Sequence, residues 1–115
     1  MIYLSDDAIK YAFADCINQN NYKVLIVARD KITRMSVIEI IEPYVRTYKQ
    51  ENFILNACAD GFYNCIVKFT NGSMINLVHH SETNRGKKCN LLIMDSDIDK
   101  ETIKHTYRNV ETKRY

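Results

Sequence analysis

Three groups of side chains in this sequence could do chemistry. Asp95, Asp97 and Asp99 alternate, a spacing that could offer carboxylate oxygens to a hard cation. A calcium loop also needs a glycine at its sharp turn and a bidentate glutamate at its end. Ile98 and Lys100 break that order, so the trio reads as strand-end and helix-capping carboxylates. His79 and His80, with Cys58, Cys65 and Cys89, raise the question of zinc. Structural zinc sites pair their ligands roughly two to four residues apart on both sides. Cys58 and Cys65 are seven apart and Cys89 has no cysteine neighbour, so no metal is expected. A cysteine nucleophile would need a base and a group to orient that base, and nothing here orients such a pair. The third group is basic. Arg85, Lys87 and Lys88 form the densest cationic cluster, and Lys104 and Arg108 would extend it if a last helix packs beside it. Lys113 and Arg114 add to the same end, and Tyr107 and Tyr115 could stack on bases. These five, Arg85, Lys87, Lys88, Lys104 and Arg108, are the candidate contacts for a nucleic-acid or protein partner.

The elements that must position these groups can be read from periodicity. Ser5 before Asp6 and Asp7 predicts a helix start, because the hydroxyl can cap free N–H groups and the carboxylates suit the positive end of the dipole. Ile9, Ala12, Phe13, Cys16 and Ile17 then recur at helical spacing, and the polar run from Asn18 to Asn21 should end the helix. Lys23 to Ala28 is a continuous apolar run of the kind buried on both faces in a parallel sheet. Asp30 predicts a second helix start, with Val37, Ile38, Ile41 and Val45 on one face. Pro43 should kink or end it, leaving Tyr44, Tyr48 and Phe53 for a short second piece. Phe53 to Ala57 reads as a short strand. Tyr63–Phe69 and Met74–His79 flank Asn71-Gly72, which predicts a hairpin with a tight type I′ turn. Leu91 to Met94 is another buried strand, and Asp99 would cap a last helix from about Lys100 to Val110. Strands alternating with helices imply an α/β layered sheet with helices packed on it.

The bulk properties set limits. At 115 residues the chain, 1–115, makes one domain. Apolar content of 46 % and charged content of 26 % are ordinary for a globular protein. Residues 1–57 balance 7 basic against 7 acidic side chains, while residues 85–115 carry 8 against 5. That small excess permits a nucleic-acid contact without requiring one. Eleven asparagines, 10 lysines and 8 tyrosines suggest an AT-rich coding source. No apolar run approaches the ~20 residues that span a bilayer, and Ser5, Asp6 and Asp7 stand where a signal sequence would be basic. The expectation is a cytoplasmic protein with reduced cysteines and no membrane contact.

The order from Phe69 to Asp95 resembles the core of a P-loop ATPase, most of all the large terminase subunit of tailed phages and the related superfamily 2 helicases. Phe69-Thr70-Asn71-Gly72-Ser73-Met74-Ile75 resembles that family's hairpin, and Arg85-Gly86 its basic loop. Leu91 to Asp95 resembles its Walker B strand, and Val24 to Arg29 the strand that follows the first helix. The resemblance implies a terminase-like core with a β-hairpin and a C-terminal helix, and makes Asp95 the counterpart of the magnesium-holding Walker B aspartate.

Two departures remove what that chemistry needs. No Gly-x-x-x-x-Gly-Lys-Ser occurs, and Met1 falls about where such a loop would end. The glutamate that would follow Asp95 and orient water is replaced by Ser96. Phosphoryl transfer is almost entirely positioning and charge stabilisation. The resemblance therefore implies a non-catalytic, ATPase-like protein without a cofactor, of phage or low-GC bacterial type. Such a protein would bind a protein or nucleic-acid partner stoichiometrically, as an inhibitor of a host process or defence system of the anti-CRISPR kind. Its alternative is a component or fragment of a DNA packaging or helicase machine completed by another chain. A fold truncated at its first strand would also leave a sheet edge uncovered, which favours a homodimer.

Overall fold

The computed structural model describes residues 2–60, 64–79 and 89–95. Within them the order is β1 (Ile2–Tyr3), α1 (Asp6–Asn18), β2 (Lys23–Ala28), α2 (Lys31–Gln50), β3 (Ile54–Asp60), β4 (Asn64–Phe69), β5 (Met74–His79) and β6 (Leu91–Met94). The strands form one six-stranded sheet in the order β1-β6-β2-β5-β4-β3. The pairs β1–β6, β6–β2 and β2–β5 are parallel, and β5–β4 and β4–β3 antiparallel. This is an α/β fold: a mixed, mostly parallel sheet with two helices packed on it.

Alternation along the central strands divides the sheet into two apolar faces. Val24, Ile26, Ala28, Ile75, Leu77, Leu91 and Ile93 join α1 and α2 in the larger core. Leu25, Val27, Val78, Leu92 and Met94 point the other way and are buried with Cys89. Burial on both faces is why Lys23–Ala28 and Leu91–Met94 read as unbroken apolar runs. Phe13 lies at the centre of the larger core. Its ring stands 5.3 Å from Tyr44, 5.9 Å from Tyr48 and 5.8 Å from Phe69.

Both helices start as their residues require. The Ser5 hydroxyl accepts from the Ala8 N–H, and the Asp30 carboxylate from the Thr33 N–H at 2.7 Å. The bond from Thr33 holds the Asp30 carboxyl below its ordinary value. That cap therefore contributes fully above the unfolded carboxyl's pKa and is lost as pH falls from there through the lower folded value.

Four sequence expectations are corrected. A strand, β1, precedes the first helix, and it covers β6 at the sheet edge. Helix α2 runs unbroken through Pro43. The proline is exposed, as is Glu39, whose carbonyl loses its partner. Beyond it Tyr44, Val45 and Tyr48 pack on the core and hold the last turns in line. Phe53 does not extend the helix. The end is a Schellman motif, in which the N–H groups of Asn52 and Phe53 donate to Lys49 and Tyr48. Asn52 takes the left-handed φ of +63° that the motif needs, and the Phe53 ring packs on Tyr48. The hairpin is also not type I′, which requires positive φ at both central residues. Only Gly72 of the pair is left-handed, at +85°. The Gly72 N–H donates to Phe69 O and the Phe69 N–H to Ser73 O, giving a three-residue loop closed by a glycine bulge. The expected helix from Lys100 to Val110 lies outside the described residues.

Candidate functional site

Asp95 is the one sequence-predicted site residue within the described part of the chain. Arg85, Lys87, Lys88, Lys104 and Arg108 lie outside it, as do Asp97, Asp99, His80 and Ser96. Asp95 follows β6 at the carboxyl edge of the parallel strands, where α/β sheets commonly bind ligands. Register aligns Tyr3, Met94, Val27 and Val78 across four strands. One step further, the Leu4 N–H donates to Met94 O at 2.8 Å and the Asp95 N–H to Val27 O at 3.1 Å. The ladder thus holds the Asp95 backbone between the ends of β1 and β2, and the residue is 9 % exposed.

The two strands beside Asp95 each lead straight into a helix. Only Leu4 and Ser5 separate β1 from α1, and only Arg29 and Asp30 separate β2 from α2. Each helix start has one of its free N–H groups taken by its cap. Ser5 and Asp30 accept the N–H bonds described above, and Asp6 and Asp7 fill the first turn of α1. On the α2 side the Arg29 guanidinium lies 3.4 Å from Asp30, an exposed pair that contributes little. An anion approaching the start of α1 meets the charges of Asp6 and Asp7 in its first turn.

The cysteines described here are packing residues. Cys16, Cys65 and Cys89 are buried. Burial pushes the Cys89 thiol from 9.0 up to about 11. The folded protein then keeps a proton that the unfolded chain loses, so stability falls as pH rises from about 9 to about 11. Cys89→Ala should flatten that part of a stability-against-pH curve. A native Cys89 labelled quickly by a thiol reagent at neutral pH would contradict this assignment. Among the described residues no three His, Cys, Asp or Glu side chains converge on a cation-sized site.

Asn71-Gly72 marks a turn in the sequence, and in the structure Asn71 also reaches α1. Its side-chain amide donates to the carbonyls of Cys16 at 2.7 Å, Gln19 at 3.2 Å and Ile17 at 3.3 Å. Those are carbonyls that the end of α1 leaves without helical partners. The Ser73 hydroxyl donates to Gln19 O at 2.6 Å and accepts from the Tyr22 N–H at 3.0 Å. The Asn21 N–H donates to Asn71 O, and the Met74 N–H to Tyr22 O. Asn71, Gly72 and Ser73 therefore clasp the end of α1 to the start of β2. Helix α2 closes itself with a Schellman motif, whereas α1 is closed by a hairpin more than fifty residues away. The sequence signal was present in the Asn-Gly-Ser triplet, but no periodicity says which helix it will meet.

Comparison with protein-family models, with curated proteins and with solved structures finds no match. Among the described residues no helix is long and apolar enough to cross a membrane.

Proposed function

We propose that this chain is a non-catalytic, ATPase-like binding protein of phage or low-GC bacterial type, working in the cytoplasm. The observation that carries the reading is the junction between β1 and α1. A phosphate loop is a glycine-rich segment between a strand and a helix, whose N–H groups surround phosphate oxygens. Here that connection is Leu4 and Ser5, the Ser5 hydroxyl takes an N–H of the first turn, and Asp6 and Asp7 follow. A triphosphate at this point would lose the cradle and gain carboxylate repulsion. Asp95 stands at the end of β6, where the terminase resemblance puts its Walker B aspartate, but a metal-binding carboxylate alone cannot position a phosphoryl group.

A protein built this way acts by occupancy. The proposed partner is a host protein or nucleic acid, bound through the cluster of Arg85, Lys87 and Lys88 with Lys104 and Arg108, and the proposed role is inhibition of a host process or defence system. The test is phosphate release from ATP with magnesium, with and without single- or double-stranded DNA. Release at the buffer rate under every condition is expected. Turnover that disappears in Asp95→Ala would overturn the reading.

A further inference from the structure

We infer that Asn71-Gly72 is a latent deamidation site, held inert by the clasp and released when the hairpin leaves helix α1. It is the sole Asn-Gly pair in the chain. An asparagine followed by glycine is the pair most open to this reaction, because glycine has no side chain to shield its nitrogen. The Gly72 nitrogen, after giving its proton to hydroxide or water, attacks Asn71 Cγ. The N–Cγ bond forms, the Cγ–Nδ2 bond breaks, and Nδ2 leaves as ammonia. The cyclic imide then takes up one water and opens to aspartate or to isoaspartate.

The native structure opposes each part of this step. The Gly72 N–H that must lose its proton donates to Phe69 O at 3.2 Å. The leaving Nδ2 is held by three carbonyls, at 2.7, 3.2 and 3.3 Å. Asn71 Oδ1 accepts from the Ser73 N–H at 3.0 Å, which fixes the amide plane. Attack requires that plane to turn and those bonds to break together. Conversion therefore proceeds from opened molecules, in proportion to their population.

The product cannot close the clasp again. A carboxylate has no N–H to give to the carbonyls of Cys16, Ile17 and Gln19. It would face the negative end of the α1 dipole, and the last turn of α1 carries no basic residue to offset it. Opening is thus made irreversible by one covalent event, and a modified chain is a loosened chain.

Peptide mapping by mass spectrometry, with isoaspartate detection, tests it at mildly alkaline pH. Conversion of Asn71 in the folded protein should be at least about tenfold slower than in the same chain unfolded in urea. Ser73→Ala keeps the Asn-Gly pair but removes the hydroxyl bonds to Gln19 and Tyr22, and should speed conversion under folding conditions. Asn71→Asp should melt several degrees below the parent protein. Equal rates in the folded and unfolded chains would overturn the inference, as would an Asn71→Asp variant that melts with the parent.

Discussion

Phe13→Ala is expected to destabilise the protein by about 3–5 kcal/mol, the largest effect of any single truncation considered. Phe13 is fully buried and belongs to α1, yet its ring contacts are with α2 and β4. Tyr44 and Tyr48 stack on it with interplanar angles of 26° and 19°, and Phe69 meets it edge-on at 65°. Removing the ring leaves a cavity walled by three aromatic side chains anchored in two elements, Tyr44 and Tyr48 in α2 and Phe69 in β4. Such walls cannot collapse inward without moving a helix or a strand, so the upper part of the range applies. A domain of this size is typically stable by about 5–15 kcal/mol, so the loss is a large share of the total. Urea denaturation reads it as a lowered midpoint at unchanged slope. A change below about 1 kcal/mol would mean that the aromatic cluster is not the centre of the core.

Gly72→Val is expected to cost about 2–3 kcal/mol, because a β-branched residue must adopt the left-handed backbone that glycine supplies here. The φ of +85° closes the hairpin loop. A Cβ at this position would also run into the Asn21 side chain, on the stretch that joins α1 to β2. The substitution therefore strains the turn and forces the Asn21 side chain aside. Thr70→Ala in the same loop is the matching control. Thr70 is exposed and its hydroxyl bonds are long, at 3.3 and 3.4 Å, so a change within about 0.5 kcal/mol is expected there. Comparable losses from the two substitutions would show that the loop is merely sensitive, without a special demand at Gly72.

The parts of the fold legible in the sequence are those written in local chemistry. Lys23–Ala28 and Leu91–Met94 are legible because burial on both faces leaves nothing but apolar residues between their ends. Ser5 and Asp30 are legible because a cap bonds to an N–H three residues away. What could not be read depends on distant partners. Ile2–Tyr3 is too short to show a period, and becomes a strand by pairing with Ile93 and Met94. Pro43 signals a break, but Tyr44 and Tyr48 find Phe13 and keep the helix whole. Asn71-Gly72 signals a type I′ turn, but Asn71 spends its amide on α1, and only Gly72 takes a positive φ. At the candidate site, the position of Asp95 at a strand end was legible. Its setting between the ends of β1 and β2 was not, because those strands meet β6 only in the folded sheet.

On the proposed reading, the strand-to-helix junction at Leu4 and Ser5 does not grip a triphosphate. The melting temperature of the protein with and without saturating magnesium-ATP tests it most directly. A ligand present at a hundred times its Kd stabilises a folded protein by about 2.7 kcal/mol, which moves the midpoint by several degrees. Coincident melting curves are expected up to millimolar nucleotide. A saturable, magnesium-dependent rise that is lost in Asp95→Ala would contradict it.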